Sequence, residues 1–139
     1  MIEREQLKHS VTALLDSLAA EHPLGHQDSK AARYVLTTPT GAKLEIMFEK
    51  NAKSPANLWV LEKAAKGLAP SALRFTRSPS SSLRAKANAQ GAILYGRHSA
   101  LENMPQLGDA DLYRFPIASL TDAGIILDHL LALDRADLR

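Results

Sequence analysis

The feature that most narrows the fold is residues 43–50, where Leu44, Ile46 and Phe48 alternate with Lys43, Glu45, Met47 and Glu49. Successive side chains of an extended chain point to opposite faces, so a period of two predicts a strand. One face would meet the core and the other, with Glu45 and Glu49, would meet solvent. Residues 33–38 are rich in β-branched and aromatic side chains, and Pro39-Thr40-Gly41 supplies a reversal, so the two segments read as a half-buried β-hairpin. Beyond the turn-like residues 51–55, the run Leu58-Trp59-Val60-Leu61 is short and wholly apolar, as expected of a central strand with Trp59 in the core.

Helical spacing brackets this sheet. Leu7, Val11, Leu14, Leu15 and Leu18 recur at intervals of three and four, predicting an amphipathic helix over 3–20 with Glu3 and Glu5 in its first turn and a stop at His22-Pro23-Leu24-Gly25. A capping signal at Ser119 to Asp122 precedes a helix running to about Leu133, with Ile126, Leu127, Leu130 and Leu131 as its apolar stripe. Between them, residues 62–68 read as one or two helical turns closed by Gly67 and Pro70, and 72–76 as a fourth strand. Residues 78–82 form a polar loop, 83–90 a weak helix or loop, and 92–95 a short strand. Ser99-Ala100-Leu101-Glu102 has the form of a capping box before a short helix ended by Pro105, and 111–117 is the last strand. The expectation is a single α+β domain over 1–139. Its sheet is mainly antiparallel, flanked by N- and C-terminal helices, with a single layer of helices on one face.

Composition limits the chemistry. At 139 residues, with 45% hydrophobic and 23% charged side chains, the chain can bury one ordinary core. There is no cysteine, which excludes a disulfide framework, an iron–sulfur cluster, a Cys-type zinc site and a thiol nucleophile. No apolar run is long enough to span a bilayer, and the polar, acidic N-terminus has no signal-like apolar stretch, so no membrane partner and a cytoplasmic location are expected. Compactness suggests a bacterial or phage source.

Charge is unevenly spread. The net +2 divides into −1 over residues 1–42, +7 over 43–98 and −4 over 99–139, and no acidic residue lies between Glu62 and Glu102. Arg74, Arg77, Arg84, Lys86 and Arg97 fall in that interval around a Ser-rich loop. Convergent guanidinium groups and hydroxyls would suit phosphate. Tyr95-Gly96-Arg97-His98-Ser99 is the best-formed local candidate, with a turn-permitting Gly96, a possible stacking ring at Tyr95 and a helix start at Ser99. The competing reading is a solvated basic face with Tyr95 in the core and Ser99 an empty cap. The phosphate reading requires the cations to share a surface from which Asp109, Asp111 and the terminal helix acids are absent.

A second reading is a metal-dependent nuclease. The order helix, hairpin strands, strand, helix, strand resembles, in element order only, the αβββαβ core of restriction-endonuclease-like enzymes. That resemblance implies Mg²⁺ held between an acid on one strand and an acid-x-Lys pair on the next. Glu45, Glu49, Glu62 and Lys63 are the residues it would use. The sequence departs from the pattern: Leu61-Glu62-Lys63 has no residue between acid and lysine, and Asp28-Ser29-Lys30 lies before the first strand. The family is not assigned. His22, His26 and Asp28 could meet as a metal set only if a loop gathered them, because Pro23 and Gly25 break any helical i, i+4 pairing. Tyr34 and Tyr113 are further stacking candidates.

The expected function is therefore a small non-catalytic module that engages nucleic acid, or a nucleoprotein partner, through Arg74, Arg77, Arg84, Lys86, Tyr95, Arg97, His98 and Ser99, without metal or cofactor. The alternatives are the Mg²⁺-dependent nuclease and a protein–protein adaptor or inhibitor, whose opposite-signed segments would favour self-association.

Overall fold

The structure, a computed structural model, describes residues 3–68 and 73–139. Helix α1 (Arg4–Leu18) buries Leu7, Val11 and Leu15 at the expected spacing, half-buries Leu14, and leaves Leu18 exposed at its C-terminal end, where the stripe was expected to continue. The chain then runs through β1 (Ala20–Glu21), β2 (Ala31–Thr37), β3 (Lys43–Glu49) and β4 (Asn57–Leu61), a single turn of helix α2 (Glu62–Ala65) and a 3₁₀ turn, Lys66–Leu68. Strand β5 (Thr76–Ser78), a long irregular segment, β6 (Leu112–Pro116) and helix α3 (Leu120–Leu131) complete it. The six strands form one sheet in the order β1-β2-β3-β4-β6-β5, with every neighbouring pair antiparallel. The fold is α+β, as expected.

Register sorts the side chains. Tyr34 lies opposite Ile46, Leu36 opposite Leu44 and Leu58 opposite Phe115. These apolar residues share the sheet face that meets α1 and α3, which also touch each other. The Tyr34 hydroxyl donates to Asp16 of α1 at 2.7 Å, and burial with this carboxylate holds the phenol above its usual pKa.

The other face corrects the sequence reading. Six of the seven β3 residues are buried, and Glu45 and Glu49 are each only 8% exposed rather than solvent-facing. The cover is the segment between β5 and β6, whose Leu83, Ala100, Leu101, Met104 and Leu107 are all buried. Alternation identifies a strand and its two faces, but it does not say whether an irregular segment will roof the polar one. The helices do occupy one face; chain without regular structure occupies the other.

Three local expectations change. The fourth strand falls at Thr76–Ser78, and Ala72 and Pro70 lie outside the described residues. Residues 83–90 take the loop rather than the helix reading, and the strand expected at 92–95 is reduced to one bridged residue: Asn88 donates to Ala92 and Leu94 to Lys86, each at 2.9 Å, and Ala87 forms an isolated bridge with Ile93, giving a short extended ribbon turned at Gly91 (φ 82°). Ser99 is not a cap. It is the first residue of the 3₁₀ turn Ser99–Leu101, and the cap is His98, whose Nδ1 accepts from the Ala100 amide at 3.0 Å. An imidazole nitrogen reaches the amide two residues on, which in so short a turn is the free donor. At α3 the expectation holds, with Ser119 Oγ accepting from the Asp122 amide at 3.2 Å.

Candidate functional site

The central cations do not form a clean cluster. Arg97 is half-buried and donates to protein oxygens on every side: Ser78 Oγ at 2.9 Å, the Ser78 carbonyl at 2.7 Å, Ala110 at 2.5 Å, and Leu107 and Gly108 at 3.3 Å. Its planar fork ties β5 to the segment entering β6. Arg77 bonds Glu62, which raises its pKa, and lies 3.5 Å from Asp111. The Asp111 carboxyl is held below its ordinary range chiefly by the Ser80 amide, which donates to it at 2.8 Å. Arg84 pairs with Asp109 at 2.9 Å and sits 5.8 Å from the Tyr95 ring centre. Asp109 and Asp111 thus enter the surface from which the phosphate reading required them to be absent. Lys86, Arg74, Lys63 and Lys66 are exposed and have no carboxylate partner among the described residues.

The segment Tyr95 to Ser99 is a joint. The Tyr95 hydroxyl donates to the Gly108 carbonyl at 2.7 Å, and burial raises its pKa. Gly96 is required by packing rather than by dihedral freedom: a Cβ there would sit 2.9 Å from the Leu83 carbonyl oxygen, to which the Gly96 amide itself donates at 2.7 Å. Burial lowers the pKa of His98, with Lys30 and Arg33 acting in the same sense and Glu49 opposing them. Ser99 is exposed, and Gln27 Nε2 lies 3.4 Å from its hydroxyl.

The carboxylates proposed for metal are separated. Glu45 Oε1 accepts from the Gln106 and Leu107 amides at 2.7 and 2.9 Å, while Oε2 lies 2.5 Å from His22 Nε2. The Leu24 amide donates to His22 Nδ1, so Nε2 carries the proton toward Glu45. Glu49 accepts from Trp59 Nε1 at 2.8 Å, and Glu62 is bonded to Arg77. Four residues of strand separate Glu45 from Glu49 by about 13 Å, too far to share an ion. Lys63 reaches the Leu138 carbonyl at 3.3 Å. His26 Nδ1 accepts from the Arg33 amide and its Nε2 lies 3.7 Å from Glu21, while Asp28 is exposed elsewhere. Among the described residues no group of three or more His, Cys, Asp or Glu side chains could hold a metal ion. Of the stacking candidates, Tyr34 is buried and Tyr113 lies against Phe75 with ring centres 4.4 Å apart.

Two features escaped the sequence. A cleft of about 830 Å³ runs beside α1, where Arg4, Lys50, Asp16 and Asp28 interleave. The Lys8 amine in its lining is committed to the Asn51 and Ser54 carbonyls, and burial lowers its pKa. The other is the ribbon. Residues 84–94 are exposed without a break, Ile93 to 62% and Leu94 to 43%, although the base is fixed by buried Leu83, the Gly96–Leu83 bond and the Arg84–Asp109 pair. The apolar pair Ile93-Leu94 was visible in sequence, but it reads equally well as core.

No protein-family model, no curated protein and no solved structure matches the chain.

Proposed function

We propose that the protein is a non-catalytic binding module that docks onto a protein partner through the ribbon at 84–94. The observation that carries this reading is the uninterrupted exposure of that ribbon, with Ile93 and Leu94 presented to solvent on a fixed base. Exposed aliphatic side chains on a braced element lose little entropy on docking and gain apolar burial. Glu45, Glu49, Glu62 and Lys63, the residues of the nuclease alternative, are each engaged in internal hydrogen bonds, which supports binding over catalysis.

The test is capture from cells that produce the protein, comparing the native chain with Ile93→Ser/Leu94→Ser. The reading expects one defined partner to be lost from the double variant while the melting temperature is unchanged. Identical capture by both chains would overturn it.

A second reading keeps nucleic acid, or a nucleoprotein, as the ligand. It is favoured by Lys63, Lys66, Arg74 and Lys86, which are exposed and have no carboxylate partner among the described residues. It expects duplex or single-strand affinity that falls steeply with salt, and a slope reduced by about one unit in Lys86→Ala. No binding at low salt would remove it.

A further inference from the structure

We infer that the contact between the loop at 22–30 and the turn at 98–101 is an acid-labile latch, closed by three unprotonated histidines and opened when they take up protons. Three of the five histidines, His22, His26 and His98, use Nδ1 in the same way. Each accepts from a backbone amide: His22 from Leu24 at 3.0 Å, His26 from Arg33 at 2.9 Å and His98 from Ala100 at 3.0 Å. An imidazolium carries a proton on both nitrogens, so it cannot accept, and each ring would set a donor against an amide donor. The three rings meet at one junction. The Arg33 guanidinium donates to the Leu24 and Gly25 carbonyls of the loop and to the Ala100 carbonyl of the turn, and Gln27 Nε2 lies 3.4 Å from the Ser99 hydroxyl. Gln27 Oε1 is buried with no partner among the described residues, so the junction closes incompletely.

Neighbouring charges decide which side lets go. Glu45 of β3 lies 2.5 Å from His22 Nε2 and would retain that ring as an imidazolium, so His22 releases the Leu24 amide while staying on the sheet. His26 faces Glu21 of β1 at 3.7 Å and the Tyr34 ring at 5.0 Å, with Arg33 of β2 at its other nitrogen. His98 feels Glu49 of β3 against Lys30 and Arg33, and its burial favours the neutral ring. Protonating His26 and His98 adds two positive charges to a junction that already holds Lys30 and Arg33, with Glu21 and Glu49 opposing them. The open form, whose rings are free to titrate at about pH 6.5, binds the extra protons, so falling pH favours it. Opening uncovers part of the roofed face. Glu49, which acts on His98, also accepts from Trp59 Nε1 at 2.8 Å, so the single tryptophan reports on the latch.

Amide hydrogen exchange of the full chain at about pH 7.5 and about pH 5, corrected for the intrinsic pH dependence of exchange, tests this. Protection of the Leu24, Arg33 and Ala100 amides should fall together by about tenfold or more at the lower pH, while that of Ile46 in β3 is retained. Acrylamide quenching of Trp59 should rise over the same interval with the far-UV circular dichroism unchanged. An Asn oxygen can accept from a nearby amide and does not titrate, so His26→Asn/His98→Asn should abolish the acid-induced rise. Unchanged protection of the three amides, or its loss together with that of Ile46 in a global transition, overturns the inference. A quenching rise that the double variant leaves intact overturns it as well. Should that variant not fold, exchange in the native chain decides alone.

Discussion

Arg97 Nη2 donates to the Ala110 carbonyl at 2.5 Å, and this bond fixes the start of β6 to the segment that roofs the sheet. The same guanidinium holds Ser78 at the end of β5, so one side chain spans two chain segments.

Arg97→Ala should therefore destabilise the fold by about 2–4 kcal/mol, because several carbonyl oxygens lose their donors at once. Arg97→Lys should recover only part of this, since an ammonium cannot reproduce the planar fork. Urea denaturation of both variants is the check. A stability equal to that of the native chain would return Arg97 to the role of a ligand-binding residue.

Glu45 joins β3, His22 and the backbone at Gln106 and Leu107 in one buried polar group. Its removal in Glu45→Ala leaves donors unsatisfied and should cost about 3–5 kcal/mol. Glu45→Gln, which keeps the shape but loses the charge, should cost less. A double-mutant cycle with His22→Ala should show a coupling of about 0.5–3 kcal/mol, as expected of residues in direct contact.

His98 predicts a pH dependence. Burial lowers its native pKa below the ordinary 6.5, so near and just below that pH the unfolded chain binds the proton more readily. The contribution is present in full above 6.5 and is lost as pH falls through the native value. Protonating Nδ1 also sets a donor against the Ala100 amide that it caps. Unfolding free energies between pH 5 and about 7.5 should rise with pH, and His98→Asn, which can still cap, should flatten that slope. An unchanged slope would remove His98 as its source.

Two glycines should respond in opposite directions. A Cβ at Gly108 would lie 2.8–3.0 Å from the carbonyl oxygens of Met104, Glu102 and Leu101, so Gly108→Ala should destabilise by about 1–3 kcal/mol. A Cβ at Gly124, inside α3, meets nothing within 4 Å. Gly124→Ala should stabilise by about 0.5–1 kcal/mol through helix propensity and reduced unfolded-state entropy. Thermal melts of the two variants would decide both.

Local pattern carried most of the architecture. The three-and-four spacing of Leu7, Val11 and Leu15 and the two-residue alternation through Leu44, Ile46 and Phe48 are properties of backbone geometry, readable wherever a chain is helical or extended. The Ser119 cap is likewise local, because its partner is three residues away. The candidate site was not legible in the same way. Whether Arg84 and Arg77 are free depends on Asp109 and Asp111, which lie 25 and 34 residues further along the chain. Whether Glu45 is wet depends on Gln106 and Leu107, more than 60 residues away.

Sequence by itself determined the α+β class, the order of the main elements, the apolar stripes and the absence of thiol chemistry. Tertiary structure decided which charges are spent internally, which polar face is roofed, and that Ile93 and Leu94 stand in solvent rather than in the core. The reason is the range of the interactions. Periodicity and capping act within a few residues, whereas charge pairing and burial are set by segments that meet only when the chain has folded.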